Sequence, residues 1–154
     1  MHRKKIINLS ILGVIFIFFG ILSYEFLFGK LFPFTPVVVG FSKHELPNTI
    51  IYVQNGNGYK DFVRIDTLMP KVLNFHKLKF LATPKIFIFK DSSSYIQRSL
   101  SAKPRFVTYY NRIFISSWAL NESFKDEISL EIYLRHALSH SLIHQHAGLI
   151  NSYK

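Results

Sequence analysis

The N-terminus constrains this chain more than any other part of it. His2-Arg3-Lys4-Lys5 precedes an apolar run from Ile6 to about Phe28, whose centre, Ile11–Leu22, holds no charged or strongly polar residue. Coiled as a helix at about 1.5 Å per residue, the run reaches roughly 34 Å. A bilayer's hydrocarbon core is about 30 Å thick, so the run is long enough to cross it. Glu25 lies near one end, where a carboxylate reaches the interface. A cleaved signal peptide has a shorter apolar region, about 7–15 residues, and ends on small residues. Ile21-Leu22-Ser23 and Glu25-Phe26-Leu27 supply no such site, so an uncleaved anchor is the favoured reading. Basic residues ahead of the span set the N-terminus in the cytoplasm. The expectation is a single-pass protein of the cell membrane, with membrane lipid as a partner and everything after about Gly29 outside.

The remainder is long enough for one domain. Of the 154 residues, 49% are hydrophobic and 16 are Phe, enough to build a core rather than a disordered tail. The 19 basic residues outnumber 9 acidic ones, a formal net charge of +10, which favours anionic partners. No RNA-binding aromatic motif or helix-turn-helix pattern accompanies that charge, so solubility and membrane topology are preferred to nucleic-acid binding as its reason. The absence of Cys excludes disulfides and thiolate metal sites.

The chain divides into a cytoplasmic tip and anchor (1–29), a Pro-containing linker with a short strand (30–58) and a main domain (59–154). Leu31-Phe32-Pro33-Phe34-Thr35-Pro36 marks the linker, and Thr49–Val53 the strand, closed by Asn55-Gly56-Asn57-Gly58. From Tyr59 to Leu78 apolar residues recur at helical spacing, with a break expected at Pro70. Pro84–Phe89 reads as a strand, and Asp91-Ser92-Ser93-Ser94 as the cap of a short helix reaching Leu100. Arg105–Tyr110 and Ile113–Ser117 read as a hairpin turning at Asn111-Arg112. A last helix starts near Ser123–Asp126 with capping-box spacing, runs to about His146 and stops at Gly148. His44 and His76 read as surface residues, and Tyr109, Tyr110 and Trp118 as core aromatics more than cleft aromatics.

That last helix carries His136, His140 and His144, each four residues apart. Each step of four turns the helix by only about 40°, so the three share one stripe. Two His at this spacing can direct both imidazoles to one metal ion. The segment resembles the H-E-x-x-H helix of gluzincin-type zinc metallopeptidases, in particular the small peptidase-MA-like domains. The order of elements from about Asp61 to His146 is similar to the N-terminal half of that family. The resemblance implies an α+β fold: the transmembrane helix, then a small zincin-like half-domain whose short sheet packs on helices. It implies zinc as the cofactor and His136 and His140 as ligands. It also puts Ile113, Phe114, Ile115 and Ser116 beside a substrate cleft.

Two positions depart from the pattern. Ala137 stands where the motif has its Glu, and alanine can neither take nor give a proton. No Asp or Glu follows His140, so the third ligand falls to His144 or to a separate chain. Three function classes are open on these residues. One is a catalytically impaired metallopeptidase-like domain held at the membrane. The second is a non-enzymatic envelope module that uses the cleft and the basic surface to hold a peptide or protein, or an anionic lipid surface. The third is a His-rich metal-binding helix in which His144 and His146 count as much as His136 and His140.

Overall fold

The computed structural model describes residues 2–103, 105–120 and 130–148, with side chains from Ser10 onward except at Leu130. The fold is mixed α and β. Helix α1 (His2–Phe28) carries the N-terminal apolar run. Within it Ser10–Phe28 is long and apolar enough to cross a membrane, and none of that stretch is buried against the rest of the chain. Phe16, Phe18 and Phe19 all point outward. Apolar surface of this extent is expected to seek a non-aqueous environment.

Five strands form one sheet: β1 (Phe41–Glu45), β2 (Ile50–Gln54), β3 (Lys85–Ile88), β4 (Phe106–Tyr109) and β5 (Arg112–Ile115), in the spatial order β1-β2-β3-β5-β4. The central three are parallel, and each edge strand is antiparallel to its neighbour. Side chains alternate across a strand, so residues at every second position share a face. Ile51, Val53, Ile86, Ile88, Ile113 and Ile115 point one way, into an aliphatic layer. Tyr52, Phe87, Phe89 and Phe114 point the other way, into an aromatic layer.

Helices α2 (Phe62–Asp66), α3 (Leu68–His76) and α5 (Leu130–Ala147) cover the aliphatic layer. Helix α4 (Ser92–Arg98) contributes Tyr95 and Ile96 to the aromatic layer. Asp91 caps α4 by accepting the Ser94 N–H at 2.7 Å, as the sequence predicts.

The stretch expected to be a linker is packed instead. Phe32 is fully buried and stacks on Phe41, 5.7 Å between centroids. Two buried arginines hold this stretch down. Arg112 donates to the Phe32 carbonyl at 3.2 Å and to the Thr35 carbonyl. Arg98 lies 5.1, 5.3 and 5.5 Å from the rings of Phe28, Phe32 and Phe41 and donates to the Val39 carbonyl at 2.9 Å. Cation–π contact lets a guanidinium sit among rings that would otherwise desolvate it uselessly.

The same stretch also supplies β1, which the sequence reading did not contain. β1 is a half-exposed edge strand whose alternation is too weak to stand out. The helical pattern over 59–78 breaks at Thr67, between α2 and α3, and not at Pro70. Pro70 falls in the first turn of α3, where an amide N–H has no intrahelical partner to lose. The hairpin turns one residue early, at Tyr110-Asn111, with Tyr110 at φ 54°. The expected start of the last helix, 123–126, lies outside the described residues.

Candidate functional site

The site is built on α5, which lies under the β4 side of the sheet. Leu134, Ala137, Leu138 and Leu142 form its buried face, inside the aliphatic layer. Polar bonds fix its position along the sheet. Thr108 Oγ1 on β4 donates to the Ala137 carbonyl at 3.3 Å, and Ser141 Oγ donates to the Tyr110 carbonyl at 2.8 Å. Gln145 Oε1 accepts the Ala82 N–H at 2.8 Å. His76, expected at the surface, joins α3 to this helix: its Nε2 lies 2.8 Å from Ser139 Oγ. His44 packs flat on Phe62 at 4.3 Å.

The three stripe histidines descend from solvent into the fold. His136 is exposed, His140 is half-buried and His144 is fully buried. His136 and His140 converge, with their Nε2 atoms 3.0 Å apart and their rings edge to face at 4.5 Å. His140 and His144 are 5.8 Å apart by centroids. Burial holds His140 below the ordinary imidazole pKa, and the neighbouring His136 pushes the same way. His144 is lowered by burial first and by His140 second. Both imidazoles are therefore biased toward the neutral form that ligates metals.

The His136–His140 geometry suits half of a metal site. Zinc–nitrogen bonds of about 2.0–2.1 Å at a tetrahedral angle separate two ligand nitrogens by roughly 3.3 Å, close to the spacing found. The rest of a catalytic complement does not assemble. Among the described residues no three His, Cys, Asp or Glu side chains are grouped to hold one ion. A catalytic zinc takes three protein ligands and keeps a fourth position open. The described residues therefore do not fit a complete catalytic zinc centre.

Ala137 is 3% exposed and belongs to the aliphatic layer with Leu134 and Leu138. The position that the resemblance assigns to a general base is thus packed into the aliphatic layer. Ile113, Phe114, Ile115 and Ser116 are likewise interior. Strand β5 lies between β3 and β4, and all four residues are fully buried. They line no cleft.

A groove of about 530 Å³ opens beside His136, between the start of β4 and α5. Phe106, Trp118, Ala119 and Tyr133 form its apolar wall, with Lys103, Arg105 and His136 also lining it. Phe106 and Tyr133 stack at 5.4 Å and are nearly coplanar, at 9°. The sequence offered Trp118 as an aromatic of either core or cleft, and it is 51% exposed on the groove. Phe106 and Tyr133 were missed because their partnership joins a strand to a helix 27 positions later. Compared with protein-family models, curated proteins and solved structures, the chain matches none.

Proposed function

We propose that this chain is a membrane-anchored, zincin-like domain that binds a ligand beside α5 and does not hydrolyse peptides on its own. In this reading α1 crosses the cell membrane with the N-terminus in the cytoplasm, and the domain stands outside. The observation that carries the non-catalytic reading is Ala137: the general-base position is apolar and packed into the core. The converging His136 and His140 nitrogens support a two-ligand remnant of a metal site, which a separate chain has to complete. The groove supports the binding role. Its aromatic wall of Phe106, Trp118 and Tyr133 suits an apolar segment of a peptide or protein partner.

The His-rich alternative has less behind it. His146 Nε2 is engaged with the Lys79 carbonyl at 2.8 Å, and His144 is inside the fold. The test is the full chain in detergent, dialysed after zinc exposure, alone and as His136→Ala and His140→Ala. The expected result is no peptide hydrolysis with or without zinc, and any retained zinc lost in both variants. Zinc-dependent hydrolysis abolished by His136→Ala would overturn the reading.

A further inference from the structure

The end of α1 does not lead into a free tether. Gln97 Nε2, on α4, donates to Tyr24 Oη at 2.9 Å. Lys30 Nζ donates to the Ser99 carbonyl at 2.8 Å and to the Ile96 carbonyl. Arg98 covers the Phe28 ring. The corner formed by α4 and the turn after it is thus fastened to the last turns of the helix.

The height of that fastening matters. Tyr24 lies four residues before the helix end, about 6 Å back along its axis. A primary amide such as that of Gln97 is not stable in hydrocarbon. If α1 spans a bilayer, the hydrocarbon boundary falls no further along than Tyr24, where tyrosine belongs in the interfacial aromatic belt. Ile6–Ser23 then forms the spanning part, about 27 Å long and still sufficient. The α4 corner is left at headgroup depth.

The surface around that corner suits the position. Phe34 and Leu100 are 55% and 54% exposed, and Tyr109 joins them: its ring is 6.5 Å from Phe34 and its Oη accepts the Leu100 N–H at 2.8 Å. Exposed Lys103 and Arg105 follow on the same loop. Segments 26–44 and 92–120 hold basic residues and no Asp or Glu, while Glu25, whose Oε2 accepts the Lys30 N–H at 2.9 Å, and Asp91, the cap of α4, stand at their margins. Apolar side chains edged mainly by cations match an anionic bilayer surface.

We propose that the domain lies against the bilayer through this corner, with Phe34 and Leu100 inserted among the headgroups and Lys103 and Arg105 on anionic lipid. The inference rests on α1 spanning the membrane, and the test separates the two. The chain has no Cys, so single-cysteine labels are available without further change. A bimane fluorophore is placed in the full chain in lipid nanodiscs at Leu100→Cys, Phe34→Cys, Val63→Cys on the opposite face, and Phe16→Cys in mid-span. Each is read with nitroxide quenchers at headgroup and at deep acyl positions, in discs with and without phosphatidylserine.

The expected result is loss of most emission at 100 and 34 with the headgroup quencher, and little change at 63. The label at 16 should respond to the deep quencher, and quenching at 100 should deepen with phosphatidylserine. Deep quenching at 16 with none at 100 or 34 would overturn the surface contact and leave the span standing. Labels at 100 and 34 that are blue-shifted but unquenched would assign the patch to a second copy of the chain, and overturn it equally. No deep quenching at 16 would overturn the span and the inference together.

Discussion

Replacing Ala137 with Glu restores the residue that the resemblance asks for, and the structure says it should damage the fold instead. The methyl group is 3% exposed among Leu134, Leu138 and the isoleucines of the sheet. A glutamate adds four heavy atoms to a filled layer, and overpacking of that kind costs about 1–3 kcal/mol. Burial penalises the charged form of its carboxyl and raises its pKa, by up to about 3–5 units for a fully buried group. At 1.36 kcal/mol per unit the charged form costs about 4–7 kcal/mol more. The sum approaches the whole stability of a small domain, about 5–15 kcal/mol.

The two parts separate by pH. The folded-state pKa is raised, so between it and the unfolded value of about 4.3 the folded form holds the extra proton. Stability therefore falls as pH rises through that window, and below it only the steric cost remains. The assay is urea unfolding of the full chain in detergent at pH 4 and pH 8, followed by the single tryptophan, Trp118. Ala137→Gln controls for volume and should be nearly pH-independent relative to the unaltered chain. An Ala137→Glu chain as stable as the original at pH 8 would refute the placement of this position. Zinc-dependent peptidase activity in that chain would do the same.

Three further outcomes follow from bonds described or implied above. Asp66 accepts from Asn48 N, Asn48 Nδ2 and Thr49 Oγ1 at 3.0, 2.9 and 2.9 Å, tying the entry of β2 to α2. Asp66→Ala should cost about 1.5–3 kcal/mol in urea unfolding, since it strands the buried Thr49 hydroxyl and removes two bonds from Asn48 to a carboxylate. Arg112→Met leaves the Phe32 and Thr35 carbonyls without their donor and should cost about 1.5–3 kcal/mol, with faster hydrogen exchange over 32–36 than over β3. His140 and His144 both have lowered folded-state pKa values, so the unfolded chain binds protons first as pH falls below about 6.5. Stability should be full above that pH and decline below it, and His144→Leu should flatten the decline in thermal unfolding scans from pH 7.5 to 5.

The elements with one strong period were legible in the sequence. The α1 run ends at the expected Phe28, with the helix starting four residues early at His2, and the β3 strand and the β4–β5 hairpin appear within a residue or two of their expected places. Those that failed did so for tertiary reasons. The 30–39 stretch reads as a proline-rich linker because its partners, Arg98 and Arg112, are some 60 to 80 positions away. Pro70 reads as a breaker because periodicity does not reveal that the helix restarts at Leu68. At the site, spacing alone predicted that His136 and His140 meet, and they do. It did not predict that Ile113–Ser116 are covered on one side by β3 and on the other by β4, because strand order is not written in any local pattern.

The alternation of isoleucine and phenylalanine in the sheet has a consequence for how its pairing is chosen. Most sheets enforce register by polarity, since a slip of one residue carries apolar side chains out to water. Here both faces are apolar, so a slipped β5 would still bury everything it exposes. Only shape would object: branched chains would meet the aromatic layer, and rings the aliphatic one. Arg112 removes this near-degeneracy. It shares a face with Phe114, where the carbonyls of residues 32 and 35 receive it. Shifted by one, its guanidinium would enter a layer of isoleucine and leucine with no acceptor. One charged residue at the mouth of a greasy strand thus acts as the key that lets the sheet close in a single way.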